Sequence, residues 1–218
     1  MGSSSRRFSF VGSGYAYEPT GGVELLENVR IPIWSTKCFT SRWFGPAVPL
    51  VESNLKPISN DRLSGTLTNR QSITLEDAIL VFGKQVYLLD NLAPGSTTKV
   101  DLLSDRNRNL SGYLKSKQQS YAAAQPWNRD AHIDRTALMQ AMMFHESESS
   151  VASEQTMENH PSQYLDLTGQ LALKRPMLVA RVKRPASRLV LNKVPSPPKI
   201  EELTLVRIIL PLMKDSAQ

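Results

Sequence analysis

The residues of this sequence that most resemble metal ligands are its three histidines. His132 and His145 stand thirteen positions apart, and His160 directly precedes Pro161. A zinc site built on one helix needs two histidines at positions i and i+4, so that both rings project from the same face. The spacing found here does not meet that condition. We therefore expect histidines on a helix surface and in a loop, and no bound metal.

Nucleophilic catalysis requires a serine, cysteine or threonine that is activated by a base and an orienting group. The chain has no Gly-x-Ser-x-Gly turn, and its serines cluster in low-complexity segments. Residues 95–99, Gly-Ser-Thr-Thr-Lys, lack the Gly-Lys-Ser/Thr ending of a phosphate-binding loop. The sequence therefore predicts a protein that is not an enzyme, with no catalytic residue and no cofactor.

Cys38 is the single cysteine, which excludes an intramolecular disulfide. It lies in a largely apolar run from residue 31 to residue 39, whereas a reactive thiol needs exposure and a cationic neighbour. We expect a buried structural cysteine. The cysteine content does not determine the cellular compartment, because proteins without disulfides exist on both sides of a membrane.

Positive charge is concentrated at the end of the chain. Residues 170–218 contain ten lysines and arginines against three acidic residues, within a net charge of +6 for the whole sequence. Such a segment predicts, as an alternative function, a domain that binds nucleic acid or another polyanion. Proteins that stack bases place aromatic residues among the positive charges, however, and residues 170–218 contain none. A solvated surface of mixed charge is therefore the favoured interpretation.

The elements that would position any site are mostly β-strands. Between residues 63 and 102, short apolar or alternating runs are separated by turns at 83–84 and 94–95, which is the pattern of antiparallel sheet. Residues 78–82 are apolar on both faces, which predicts a central strand between two layers. Gly65 interrupts a strand, where we expect a bulge or a close approach of backbone.

The remaining segments predict one helix and further strands. Asp130 is the expected N-cap of the helix, in which these apolar residues recur at helical spacing: Ile133, Ala137, Leu138, Ala141, Met142 and Phe144. Strands are predicted at 29–33, 165–167, 177–182, 189–191 and 203–210, and a turn region at 54–61. We divide the chain into a flexible lead at 1–21, a β-sandwich core at 22–104, a helix and acidic loop inserted at 105–163, and strands completing the same sandwich at 164–218.

The predicted fold is mainly β, an immunoglobulin-like antiparallel β-sandwich with a short helical insertion. Its core is expected to contain Val29, Ile31, Ile33, Leu67, Ile79, Val81, Val86, Leu88, Val100, Leu178, Val182, Val206 and Ile208. Trp34, Trp43 and Trp127 are the first candidates for a partner contact, because tryptophan is enriched at binding hot spots. Burial in the core is the favoured interpretation for Trp34.

Several short motifs can be compared with known modules. They are Gly-Thr-Leu-Thr-Asn at 65–69, Leu-Glu-Asp at 75–77, Leu-Val-Phe-Gly at 80–83, Val-Tyr at 86–87, Leu-Ala-Pro-Gly at 92–95, Trp-Ser-Thr-Lys at 34–37 and Val-Arg-Ile-Ile-Leu-Pro at 206–211. The motifs between residues 65 and 95 resemble the immunoglobulin-like modules of bacterial envelope proteins. Together with the last two, they make the chain similar to the C-terminal region of uncharacterised membrane-associated proteins of planctomycete-type bacteria.

This resemblance implies a non-catalytic structural or interaction module, the soluble extracytoplasmic part of a bacterial envelope protein. The expected partner is another protein or the remainder of a longer anchored chain, and a cytoplasmic location stays an alternative. No apolar run is long enough to span a membrane, because the longest, at 203–213, is broken by Arg207 and Pro211. Membrane contact is therefore expected only through an anchor outside this sequence.

Overall fold

A computed structural model describes residues 16–18, 25–27, 49–101, 107–122, 134–144, 165–186, 190–191, 194–195 and 202–213. The chain forms two compact units, Met1–Gly45 and Pro46–Gln218. In the first unit, strand β1 (Ala16–Glu18) pairs in antiparallel fashion with β2 (Leu25–Glu27). The boundaries of the four predicted regions stay predictions.

The second unit contains ten strands and three helices within its described residues. In chain order they are β3 (Val51–Ser59), β4 (Arg62–Asn69), β5 (Leu75–Phe82), β6 (Gln85–Leu92), β7 (Thr97–Val100), β8 (Asn107–Asn109), α1 (Leu110–Ala122), α2 (Arg135–Met143), α3 (Thr168–Leu171), β9 (Met177–Val182), β10 (Val190–Leu191), β11 (Val194–Pro195) and β12 (Thr204–Ile209). No helix in this part of the chain has the length and apolarity needed to cross a bilayer.

Two antiparallel sheets dominate this unit, as predicted. One has the strand order β3-β4-β7, and the other has the order β12-β9-β5-β6-β8. β10 and β11 form a separate two-stranded ribbon between β9 and β12. Strand β9 pairs with β5 across roughly a hundred residues of chain, so that Leu178 lies opposite Leu80. The mainly β fold with two antiparallel sheets is therefore confirmed.

A dry core lies between the two sheets. Every second residue of β4 points inward because side chains alternate across a strand, which buries Leu63, Leu67 and Asn69. Gly65, which continues this alternation, has φ +144°, and a Cβ there would stand 2.0 Å from the carbonyl oxygen of Asn54. The predicted close approach of backbone is therefore confirmed. Only glycine allows the two strands to pair at this distance.

The second face of the five-stranded sheet is covered by helices. Ile79 and Val81 of β5 pack with Leu114 of α1 and Phe144 at the end of α2, in a cluster separate from the core between the sheets. Because both faces of β5 are covered, residues 78–82 are all buried. The prediction of a central strand between two layers is thus confirmed.

Most of the described core predictions hold. The buried ones are Leu67, Ile79, Val81, Val86, Val100, Leu178 and Val182, while Leu88, Val206 and Ile208 are partly buried and pack against the two clusters. Several predicted residues lie outside the described part of the chain: Val29, Ile31, Ile33, Trp34, Cys38, Trp43, Trp127, His132, His145 and His160.

The predicted turn at 54–61 is wrong, because β3 continues to Ser59 and only residues 60 and 61 form the turn. Pro57 suggested an interruption. It is accommodated because β3 is an edge strand of its sheet, where a missing N–H costs no ladder bond, and the register shifts between Pro57 and Ser59.

The helical predictions are wrong in number and in one boundary. Helix α1 was not predicted. Its apolar contacts come mainly from Leu110, Tyr113 and Leu114 in the first turns, and the rest of its sequence is polar, so that it shows little helical periodicity. Helix α2 begins at Arg135 and is capped by Asp134, whose Oδ1 accepts from Ala137 N at 3.0 Å, rather than by Asp130.

The predicted strand at 165–167 is also wrong. These residues form a turn that leads into α3. Asp166 favours this conformation because its Oδ1 accepts from both the backbone N–H and the hydroxyl of Thr168, at 2.9 and 2.6 Å. Such local bonding by an aspartate competes with strand pairing.

Candidate binding cavity

β5 and β6 pair irregularly beside the helices. The register shifts between Leu75 and Ile79, and Asp77 and Asp90 adopt left-handed conformations with φ of 48° and 58°. Such conformations are uncommon outside glycine and cost about 1–2 kcal/mol, although aspartate tolerates them better than most residues. Asp77 N donates to the Oδ1 of Asn91 at 3.1 Å, which ties the two strands together at the irregularity. Both aspartates therefore lie on the wall of a cavity rather than in a regular ladder.

The cavity has a volume of about 430 Å³ and opens between the five-stranded sheet and the helices. Its apolar wall is formed by Ala78, Ile79, Leu88 and Ala137. Its polar lining consists of Asp77, Asp90, Asn91, Arg108, Tyr113, Ser116, Lys117, Asp134, Thr136 and Gln140. With four apolar and ten polar residues, this lining is more polar than that of a usual ligand site, whereas the volume is within the usual range.

A buried pair of side chains joins the two helices at the inner end of the cavity. Tyr113 of α1 is 6% exposed and Gln140 of α2 is 2% exposed. The Tyr113 hydroxyl donates to the Gln140 Oε1 at 2.8 Å. Burial raises the pKa of Tyr113 to about 12, helped by the negative charges of Asp134 and Asp77. The hydroxyl is therefore neutral near pH 7 and remains a hydrogen-bonding group.

The amide of Gln140 is only half used. Its oxygen accepts from Tyr113, and its nitrogen makes no hydrogen bond to any residue that the structure describes. Whichever way the amide is turned, one of its ends stays open on the cavity wall. Among the described residues, the fully buried side-chain polar atoms without a hydrogen-bond partner are Asn107 Oδ1 and Arg181 Nε, so the Gln140 amide nitrogen is within reach of solvent from the cavity and is available to a ligand.

Ion pairs hold the cavity edge on the sheet side. Arg181 of β9 donates to Glu76 at 2.7 Å, and its Nε lies 3.1 Å from the Oδ2 of Asp77. Lys183 Nζ lies 2.6 Å from the other oxygen of Glu76, whose side chain is 12% exposed. The hydrogen bond from Lys183 lowers the pKa of Glu76, and Arg181 adds to this effect against the opposing influence of burial. These contacts engage two of the cations in the basic segment, although Arg181 Nε makes no hydrogen bond to Asp77.

On the helix side of the cavity, a longer ion pair connects α1 with the start of α2. Lys117 Nζ lies 3.9 Å from the Oδ2 of Asp134 and 5.7 Å from the centre of the Tyr113 ring. Asp134 is also the N-cap of α2, so that one carboxylate both starts the helix and faces a cation on α1. The cavity thus has defined positions for charged and neutral groups on both walls.

Sequence reasoning did not find this cavity. None of the polar residues that line it was singled out from the sequence, although Gln140 lies within the predicted helix. The one available signal was the pair of acidic residues, Glu76 and Asp77, directly before a fully apolar strand. Within the described residues no three histidine, cysteine, aspartate or glutamate side chains are grouped as metal ligands.

The comparisons with known proteins give a family and no function. No curated protein and no solved structure is significantly similar to this chain. The family model described as "Domain of unknown function (DUF8725)" matches residues 50–212, which is well over half of the sequence and includes every element from β3 to β12. The chain therefore belongs to the family of the domain of unknown function DUF8725.

Proposed function

We propose that this chain is a non-catalytic interaction module that binds through the cavity between the helices and the five-stranded sheet. The observation that carries this proposal is the Tyr113–Gln140 pair, which presents an amide end without a described partner on the wall of an open cavity. A tyrosine whose pKa is about 12 stays protonated and suits binding by hydrogen bonds better than it suits proton transfer.

The proposed location is the extracytoplasmic side of a bacterial envelope, where the chain is the soluble part of a longer anchored protein. This part of the proposal rests on the resemblance of the motifs between residues 65 and 95 to envelope modules. It is tested by adding protease to intact cells, and to cells with an opened outer layer, that produce the native protein. Digestion that requires lysis of the cytoplasmic membrane would contradict it.

Polyanion binding is a weaker alternative. Arg181 and Lys183 both pair with Glu76, so that these two cations of the basic segment are compensated within the protein. A polyanion would have to compete with those pairs. If the alternative were correct, heparin would bind at low salt and dissociate between roughly 50 and 200 mM salt.

The interaction role is tested by hydrogen exchange of the purified full chain with and without a detergent-solubilised extract of cell envelopes. We expect added protection in residues 110–117, 134–144 and 75–91, and none in β3, β4 and β7. The variant Thr136→Trp, which places a large ring at the cavity, should abolish this protection. Its matched control is Thr97→Trp on β7, where Thr97 is exposed. Protection that is absent, or that is unchanged in Thr136→Trp, would contradict the proposal.

A further inference from the structure

We infer that the ligand of this cavity is a neutral, hydroxyl-rich molecule, of which a short uncharged saccharide is the chemical class. The inference rests on the proposed binding role and names the ligand for the same site. Three properties of the cavity support it: its charge balance, its pattern of donors and acceptors, and its apolar wall.

The charges of the cavity balance within the protein. The lining carries three aspartates, Asp77, Asp90 and Asp134, and two cations, Arg108 and Lys117. Beside the wall, Arg181 and Lys183 compensate Asp77 and Glu76, which leaves Asp90 and Asp134 matched by Arg108 and Lys117. A ligand with a net charge gains little where the protein already compensates each sign, because its own desolvation is then not repaid. Charge balance therefore favours a neutral ligand.

The hydrogen-bonding groups of the wall are of both kinds. Carboxylates only accept, guanidinium and ammonium groups only donate, and the hydroxyl of Thr136 does both, whereas that of Ser116 already donates to the carbonyl of Tyr113. The open end of the Gln140 amide adds one more position at the buried end of the cavity. Each hydroxyl of a saccharide can donate and accept at once, so that closely spaced groups of both kinds are satisfied by one ring.

The apolar wall matches the other side of such a ring. Ala78, Ile79 and Leu88 on the sheet, with Ala137 on α2, present hydrocarbon to the cavity. A sugar ring exposes C–H groups on its faces and hydroxyls around its edge, so that hydrocarbon contact and polar contact are made by different parts of one molecule. A volume of about 430 Å³ is enough for one or two rings.

The inference is tested by saturation-transfer NMR and calorimetric titration of the full chain. The probes are glucose, galactose, mannose, N-acetylglucosamine, cellobiose and diacetylchitobiose, with glucuronate as the anionic and spermidine as the cationic comparison. We expect at least one neutral saccharide to bind saturably, and more tightly than either charged probe.

Two variants locate the binding. Thr136→Trp and Gln140→Leu should each weaken the affinity for that saccharide at least tenfold, whereas Thr97→Trp should leave it unchanged. Circular dichroism and thermal unfolding identify any variant that fails to fold. If one cavity variant fails to fold, the affinity of the other one tests the inference. Tighter binding of glucuronate or spermidine, binding that survives both cavity variants, or no saccharide binding at all would overturn the inference. Protection from exchange by envelope extract would still stand in those cases if the interaction role is correct.

Discussion

Two buried amide side chains lie on opposite sides of the five-stranded sheet and differ in how many hydrogen bonds they make. One is Asn69 of β4, and the other is Gln140 of α2. On the face toward β3 and β4, Asn69 is fully buried, donates to the carbonyls of Ile73 and Leu92 at 2.9 Å each, and accepts from Gln71 N at 2.9 Å. On the face toward the helices, Gln140 is 2% exposed and has one described partner, Tyr113.

The contrast separates a structural role from the proposed binding role. A fully bonded buried amide stabilises one arrangement of the chain, because removing it leaves several groups unpaired. A half-bonded amide beside a cavity adds less to the stability of the protein alone and has capacity left for a ligand. The amide in the core between the sheets is therefore the more fully bonded of the two.

The largest expected effect is a loss of stability in the core between the sheets, where β3 pairs with β4. Gly65→Ala places a Cβ 2.0 Å from the carbonyl oxygen of Asn54 at a φ that only glycine readily adopts, so that β3 and β4 must separate. We expect a loss of about 3–5 kcal/mol in the free energy of unfolding, measured by urea denaturation. Gly112→Ala on α1 is the matched control. No atom lies within 4 Å of its added Cβ, and helix propensity predicts a gain of about 0.5–1 kcal/mol. Equal effects at the two glycines would contradict this interpretation.

The comparison of the two amides gives the next effect. Asn69→Ala removes three hydrogen bonds and leaves their backbone partners unpaired, which should cost about 3 kcal/mol. Gln140→Ala removes one described bond and should cost about 1 kcal/mol. Chemical denaturation of both variants under the same conditions measures the difference. If Gln140→Ala were as costly as Asn69→Ala, the amide of Gln140 would be structural and the distinction between the two faces would be lost.

Alkaline titration sharpens the description of the cavity. The pKa of Tyr113 is raised from 10.0 in the unfolded chain to about 12 in the fold, mainly by burial. The neutral form is favoured by folding, so its contribution to stability is complete below pH 10 and is lost as the pH rises through about 12. The difference in phenolate absorbance between wild type and Tyr113→Phe should therefore develop near pH 12. Development near pH 10 would mean that the hydroxyl is open to solvent.

The smallest effect concerns the ion pairs at the cavity edge. Lys183 and Arg181 lower the pKa of Glu76 below its ordinary 4.5. The charged form is favoured by folding, so this contribution is present above pH 4.5 and is lost as the pH falls through the lowered pKa. Glu76→Gln should therefore flatten part of the acid dependence of the unfolding free energy. An unchanged acid profile would show that the pairs, which are partly exposed, add nothing to stability.

Local patterns identified most of the strands. Turn residues at 83–84 and 94–95 mark the connections after β5 and β6, and the apolar run before each turn forms the strand. Gly65 indicated close backbone contact for a reason that is visible in the sequence, since a glycine within a strand has no side chain to pack. The errors at β3, at α1 and at 165–167 have two different causes. β3 and α1 are a proline-containing and a largely polar segment that packing against other elements holds in place, whereas at 165–167 the bonding of Asp166 to Thr168 overrides the apolar alternation.

The sequence by itself determined the strands of the hairpins, part of the buried residues, and the excess of positive charge near the chain end. These depend on side-chain periodicity and turn chemistry, which act over a few residues. Only the tertiary structure decided that Arg181 would meet Glu76 and Asp77, 105 residues from the first of them, and that Tyr113 and Gln140 would pair beside a cavity. Those contacts depend on how distant elements pack against one another, and no local pattern of residues records that packing.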